Sequence, residues 1–173
     1  MSRKPTLYIA YGSNLNLPQM AFRCPTAKVV GTSELKDYEL LFRGGRQSAV
    51  ATVEPKEGST VPVLLWEIRG MDELSLDRYE GYPRLYEKKM MDVELKGKTV
   101  SAMAYVMTPG HAFGTPSDYY ANVIWEGYES AGFDTQILEN AIEHARELVH
   151  EQAEQENYHQ QTLFGMGGWE QIK

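Results

Sequence analysis

Leu7-Tyr8-Ile9-Ala10-Tyr11-Gly12-Ser13-Asn14-Leu15 is a short run of strand formers that empties without a spacer into Tyr-Gly-Ser-Asn. A strand ending in small polar residues predicts a rigid element carrying a tight loop rich in exposed backbone N–H groups. Gly12 lets a ligand approach the backbone, and Ser13 and Asn14 add donors for a carboxylate or an oxyanion. An ordinary polar strand-to-helix turn uses the same residues. The loop alone leaves both readings open.

Working outward, Thr6–Ala10 is expected as the first strand and Leu17–Arg23 as a short helix with Pro18 in its first turn. Ala27–Phe42 holds β-branched and aromatic residues for two strands or one long bent one. Ser48–Val53 and Val61–Ile68 read as two further strands separated by a turn at Glu54-Pro55-Lys56-Glu57-Gly58. Val61, Val63 and Leu65 alternate with Leu64, Trp66 and Ile68, so the second of these is apolar on both faces and belongs at a sheet centre.

Met71–Tyr79 follows as a helix with Met71, Leu74 and Leu76 expected on its inner side, and Gly81 suited to end it in the left-handed conformation. Glu87–Leu95 and Thr99–Met107 flank Lys96-Gly97-Lys98, a hairpin signal. Two helices close the pattern. Ser117–Glu129 carries Tyr120, Val123, Ile124 and Tyr128 on one side, and Asp134–Glu151 opens on an aspartate cap. Many strands with helices collected late predict an α+β fold with a mostly antiparallel sheet. Residues 1–151 form the expected domain, and 152–173, polar and rich in Gln and Glu, a surface extension or a flexible tail.

The 173 residues suffice for a core without disulfide or metal staples. A net charge of −7 and a pI near 5.1 argue against a nucleic-acid partner, which needs a concentrated basic face. The single cysteine, Cys24, excludes an intramolecular disulfide and fits a reducing compartment. Behind Met-Ser-Arg-Lys-Pro the apolar run is too short for a signal peptide, and no segment reaches the roughly 18 apolar residues of a span. A soluble, cytoplasmic protein without a membrane partner is expected.

Glu80 stands at the predicted C-terminal end of a short helix, where the negative end of the dipole opposes a carboxylate. Partial burial beside Tyr79, Tyr82 and Pro83 raises its pKa toward the range useful for proton transfer. A solvated surface glutamate fits the same position. Ser13 lacks the Gly-x-Ser-x-Gly setting of a hydrolase nucleophile. Cys24 reads as a small buried structural residue, and His111 as a structural residue of a Gly/Pro loop. No His or Cys pair has metal-ligand spacing, so no metal site is expected. Neither phosphate-loop nor dinucleotide glycine spacing occurs. Tyr86, Tyr119 and Tyr120 suit either a pocket lining or a core edge.

Two elements taken together carry a resemblance. Tyr11-Gly12-Ser13-Asn14-Leu15 after the first strand, and Leu76-Asp77-Arg78-Tyr79-Glu80-Gly81 after Leu65-Trp66-Glu67-Ile68, resemble the gamma-glutamylcyclotransferase-like superfamily. Tyr38–Phe42, Met90–Leu95 and Val100–Met107 fit the same pattern, so the similarity spans residues 5–110 and, more loosely, the two late helices. It implies a small, mostly antiparallel β-barrel with flanking helices and a reaction that uses no cofactor. In that reaction the α-amine of a γ-glutamyl substrate attacks its own γ-carbonyl, releasing 5-oxoproline and the free amine or amino acid.

Glu80 matches the acid/base glutamate of the superfamily, and Tyr11, Gly12, Ser13, Asn14 and Leu15 match the loop that grips the glutamyl head. Tyr86 matches a substrate-lining tyrosine. The leaving groups handled by the superfamily include amino acids, amines, glutathione and antibiotic precursors. The segments that choose among them, after Met107 and near Arg43–Gln47, carry no diagnostic match here. A non-enzymatic module that binds a small metabolite or a protein partner in the same pocket is the alternative, and an acyl hydrolase using water is a third reading.

Overall fold

The computed structural model describes residues 4–167; the basic start Met1–Arg3 and residues 168–173 lie outside the described residues. The strands are β1 (Thr6–Ala10), β2 (Lys28–Gly45), β3 (Ser48–Ile68), β4 (Tyr86–Leu95) and β5 (Lys98–Met107). The helices are α1 (Leu17–Arg23), α2 (Gly70–Glu80), α3 (Asp118–Ala131) and α4 (Thr135–Gly167), with a 3-10 turn at Ser13–Leu15 between β1 and α1. The sheet has five strands in the order β2-β3-β1-β5-β4.

Only β1 against β5 is parallel; every other neighbour is antiparallel. The sheet is not closed, but it curls like a barrel until its edge strands approach. Across that seam a Cβ at Gly31 of β2 would stand 2.8 Å from Leu95 Cδ1 of β4, and Lys89 Nζ donates to Tyr38 Oη at 3.1 Å.

Local signals explain most boundaries. Asn16 accepts from Gln19 N at 3.1 Å and so caps α1, while its amide donates to Val123 O of α3 at 3.0 Å. Lys96 and Gly97, both at positive φ, make the two-residue turn between β4 and β5. Gly81 sits at φ 65 and ends α2 directly after Glu80, with its N–H and that of Tyr82 returning to Arg78 O and Asp77 O.

Three expectations are corrected. β3 is one strand from Ser48 to Ile68, not two. Glu54-Pro55-Lys56-Glu57-Gly58 bends the strand without ending it, because Tyr38 pairs with Pro55 and the register against β2 resumes at Lys36 with Thr60. Asp37, at φ 62, turns the partner strand at the same place and accepts from Gly58 N at 2.9 Å.

The inner side of α2 is Asp72 and Leu76, four residues apart, whereas Met71 and Leu74 are exposed. Asp72 is held there because its carboxylate accepts from Arg69 N at 2.9 Å and from Thr26 Oγ1 at 2.7 and 2.8 Å, which caps the helix start. The last helix is longer than expected. α4 runs through residues 151 and 152 without a break, and its far part, 154–165, is exposed.

The core lies on the sheet and under α3, with Ile9, Phe42, Val53, Val63, Leu65, Ala102, Tyr128 and Leu138 buried. α3 approaches the 3-10 turn so closely that a Cβ at Gly127 would stand 2.5 Å from Leu15 Cβ. That contact locks the loop after β1 in place. Among the described residues no helix is long and apolar enough to cross a membrane.

Candidate active site

The end of β1, the 3-10 turn, the last residues of α2 and the starts of β4 and α3 enclose one cavity of about 190 Å³. Tyr11, Gly12, Ser13, Asn14, Glu80 and Tyr86 all line it. Leu15 does not. Its side chain is fully buried in the core and packs beneath the loop against Gly127, so it supports the turn instead of meeting a ligand.

Each side chain has a definable job. Asn14 Nδ2 donates to Tyr8 Oη at 2.8 Å and to Glu80 Oε1 at 3.2 Å, which ties the loop to the end of α2. The Asn14 carbonyl accepts from Trp66 Nε1 at 3.2 Å, fixing the turn to β3. Ser13 Oγ and Tyr79 Oη share a hydrogen bond of 3.0 Å. At Gly12 a Cβ would stand 3.2 Å from Ala51 Cβ and 3.5 Å from Tyr120 Oη, so any side chain there would intrude on the cavity floor.

Glu80 titrates at about 7 instead of 4.5. Burial is the leading cause; the Arg23 charge and the Asn14 hydrogen bond pull the other way without cancelling it. The cavity-lining neighbours of Glu80 come from β1, β4 and α3 as well as from Tyr79 beside it in sequence, whereas Tyr82 and Pro83, expected to bury it, are exposed and do not line the cavity.

Six of the chain's 11 tyrosines line the cavity. Burial holds the hydroxyls of Tyr8, Tyr11, Tyr86, Tyr105 and Tyr120 well above their ordinary pKa, so they act as neutral donors or acceptors. Their protons are not equally available. Tyr11 donates to Tyr105 O, Tyr86 donates to Ala51 O at 2.6 Å, and Tyr105 donates to Asp77 Oδ1. Tyr8 accepts from Asn14 Nδ2, and Tyr120 accepts from Ala51 N at 3.0 Å. Of these five hydroxyls, only those of Tyr8 and Tyr120 keep a proton without an acceptor. Tyr86 therefore lines the cavity with its ring while its hydroxyl braces β3.

Sequence reasoning singled out neither Tyr8 nor Arg23, and it left Tyr120 undecided between pocket and core. The one sequence cue for Tyr120 is its place in the first turn of α3, capped by Ser117 Oγ accepting Tyr120 N at 3.2 Å. Tyr8 reads as an ordinary strand residue until the fold turns it toward Asn14. Cys24 is buried, with its thiol pushed up to about 11 by that burial. His111 is held near Thr108 Oγ1 at 3.1 Å, away from the cavity. Arg43 forms a two-pronged pair with Glu54, at 2.6 and 3.1 Å, and donates to His111 O at 2.8 Å.

A family model described as gamma-glutamyl cyclotransferase, AIG2-like, matches residues 8–125. The chain is similar to the gamma-glutamylcyclotransferase of Homo sapiens, 28% identical over 144 residues that make up 77% of this chain and 75% of that protein. The Mus musculus gamma-glutamylcyclotransferase is 30% identical over 144 residues, with the same 77% and 75% coverage. A solved structure of a gamma-glutamyl cyclotransferase superposes with a TM-score of 0.72 at 27% identity, covering 80% of this chain and 86% of that one. The loop after β1 and the end of α2 both fall inside the matched span.

Proposed function

The chain belongs to the gamma-glutamyl cyclotransferase, AIG2-like family, and from that premise we propose that it cyclises a γ-glutamyl compound to 5-oxoproline, with Glu80 moving the protons. The observation that carries this reading is the Glu80 carboxyl. Burial brings it to about 7, and it faces the Tyr11–Asn14 loop across a small shared cavity.

The chemistry asks for few groups. The nucleophile is the substrate's own α-amine, so the protein has to fold the substrate and shuttle protons, not supply an attacking atom. Near neutral pH a carboxyl of this strength is substantially ionised, enough to accept a proton from the α-ammonium. Once protonated it is acidic enough to hand a proton to the departing nitrogen as the C–N bond breaks. Attack on the γ-carbonyl places negative charge on its oxygen. The first N–H groups of the 3-10 turn have no intrahelical acceptor, and the Tyr8 and Tyr120 hydroxyls carry available protons. These donors suit that oxyanion or the substrate α-carboxylate.

The test is a panel of glutathione, γ-glutamyl-alanine and γ-glutamyl-lysine incubated with the protein and read by mass spectrometry. 5-Oxoproline from one of them supports cyclotransfer. Glutamate would mean that water attacks instead. Unchanged substrates throughout would mean neither reaction and would overturn the proposal. On an accepted substrate, Glu80→Gln is expected to lower turnover by about 10²–10⁴.

A further inference from the structure

Arg23 ends α1 and reaches back over the cavity wall. One arm of its guanidinium donates to Asn14 Oδ1, and the other donates to Gln19 Oε1, one turn earlier on its own helix. The same group lies flat over the Tyr79 ring, 3.5 Å from its centroid, and Tyr79 Oη meets Ser13 Oγ. The half-buried side chain thus touches the loop and the residue preceding Glu80. Among the described residues it makes no ion pair with a carboxylate.

We infer that Arg23 is a positioning residue for this site: its guanidinium holds the Asn14 amide in the orientation that donates toward Glu80. A guanidinium has only donors. It therefore requires the Asn14 carbonyl oxygen on its side, and this turns the amide NH2 toward Tyr8 and Glu80. The flipped amide would set donor against donor at Arg23 and acceptor against acceptor at Glu80. Asn14 relays the constraint, and the stacked Tyr79 ring carries it to α2.

Arg23 also acts on Glu80 as a charge. Tyr8 of β1, Tyr11 just beyond it, Tyr86 of β4 and Tyr120 of α3 face the carboxyl as neutral hydroxyls, with Asn14 from the turn. Against them, the Arg23 cation favours the ionised carboxylate. Without it Glu80 would hold its proton to higher pH and be a scarcer base at neutrality.

The inference rests on the proposed role of Glu80, so the test pairs kinetics with a readout that needs no activity. The variants are Arg23→Met, which keeps the stem without charge or fork, and Arg23→Lys, which keeps the charge alone. Glu80 is titrated by infrared difference spectroscopy of its carboxyl band, with Glu80→Gln as the blank, and kcat and KM are measured on the accepted substrate.

In Arg23→Met, kcat is expected to fall about tenfold to a hundredfold, as for a misplaced catalytic group, with a smaller change in KM. The Glu80 titration should move above its wild-type midpoint. Arg23→Lys should leave the titration near wild type but still lower kcat, since an ammonium cannot bond Asn14 and Gln19 in one plane while stacking on Tyr79. A folded Arg23→Met with wild-type kcat, or with an unmoved Glu80 titration, overturns the inference. If Arg23→Met does not fold, Arg23→Lys decides alone, and a wild-type kcat there overturns it. A wild-type protein that makes no 5-oxoproline sinks the proposed function separately, and the infrared titrations then decide the role of Arg23.

Discussion

Glu80→Gln should cost the protein its activity and make it more stable, and the gain should depend on pH. In the unfolded chain the carboxyl loses its proton near 4.5; in the folded protein it keeps it to about 7. Between those values the folded state holds a proton that the unfolded state has released, so raising the pH destabilises the fold. The gap between 4.5 and about 7, at about 1.4 kcal/mol per pH unit, amounts to about 3.5 kcal/mol at most.

Glutamine has the same shape, can accept from Asn14 Nδ2 as Glu80 does, and never ionises. The variant should therefore match wild type in acid and exceed it above neutrality. For a chain of this size the difference in Tm at about pH 8.5 would be roughly 5–10 °C, shrinking toward zero near pH 4.5. Thermal melts of both proteins followed by circular dichroism across that range would read it directly. A Tm difference that stays constant with pH would refute the buried-carboxyl account, because an ordinary packing change in the variant does not titrate.

Three other perturbations probe the surroundings. Tyr120→Phe removes a hydroxyl whose proton is available to the cavity and leaves Ala51 N without its partner; kcat/KM should fall about tenfold or more, with a stability loss of about 1–2 kcal/mol. Wild-type 5-oxoproline kinetics in that variant would remove Tyr120 from the site. Gly127→Ala drives a Cβ into Leu15, 2.5 Å away; urea melts should show a loss of about 1–3 kcal/mol, and kcat should drop with it because the loop resting on Leu15 must shift. Asp72→Ala strips the start of α2 of its bonds to Arg69 N and Thr26. About 1–2 kcal/mol should be lost, while kcat of the folded protein stays near wild type, since the Glu80 end of the helix is held separately by Asn14 and Gly81.

Much of the fold was legible in short windows. The boundaries of β1 and α1, the hairpin read at Lys96-Gly97-Lys98 (one residue shorter in the structure) and the stop at Gly81 follow the reading, because each depends on the φ, ψ and capping preferences of a few adjacent residues. The break expected in β3 failed for a tertiary reason. Pro55 and Gly58 usually end a strand, but here β2 bends alongside at Asp37 and the pair keeps its register on either side. On α2 the apolar count pointed to Met71 and Leu74, yet the buried face is the one where Asp72 bonds Thr26 and Leu76 meets the core.

The sequence by itself determined that a strand delivers a Gly-Ser-Asn turn and that a short helix ends near Glu80, with Gly81 to close it. It could not determine what Glu80 would feel there. The bond from Asn14 to Glu80 spans 66 positions, that from Tyr11 to the Tyr105 carbonyl 94, and that from Ala51 to Tyr120 69. Only the curling of the sheet and the docking of α3 on Leu15 assemble them. Turn and cap geometry is a property of neighbouring residues, whereas the desolvation of a carboxyl is a sum over every group packed around it. That sum is what moves Glu80 from an ordinary acid to one that titrates near neutrality.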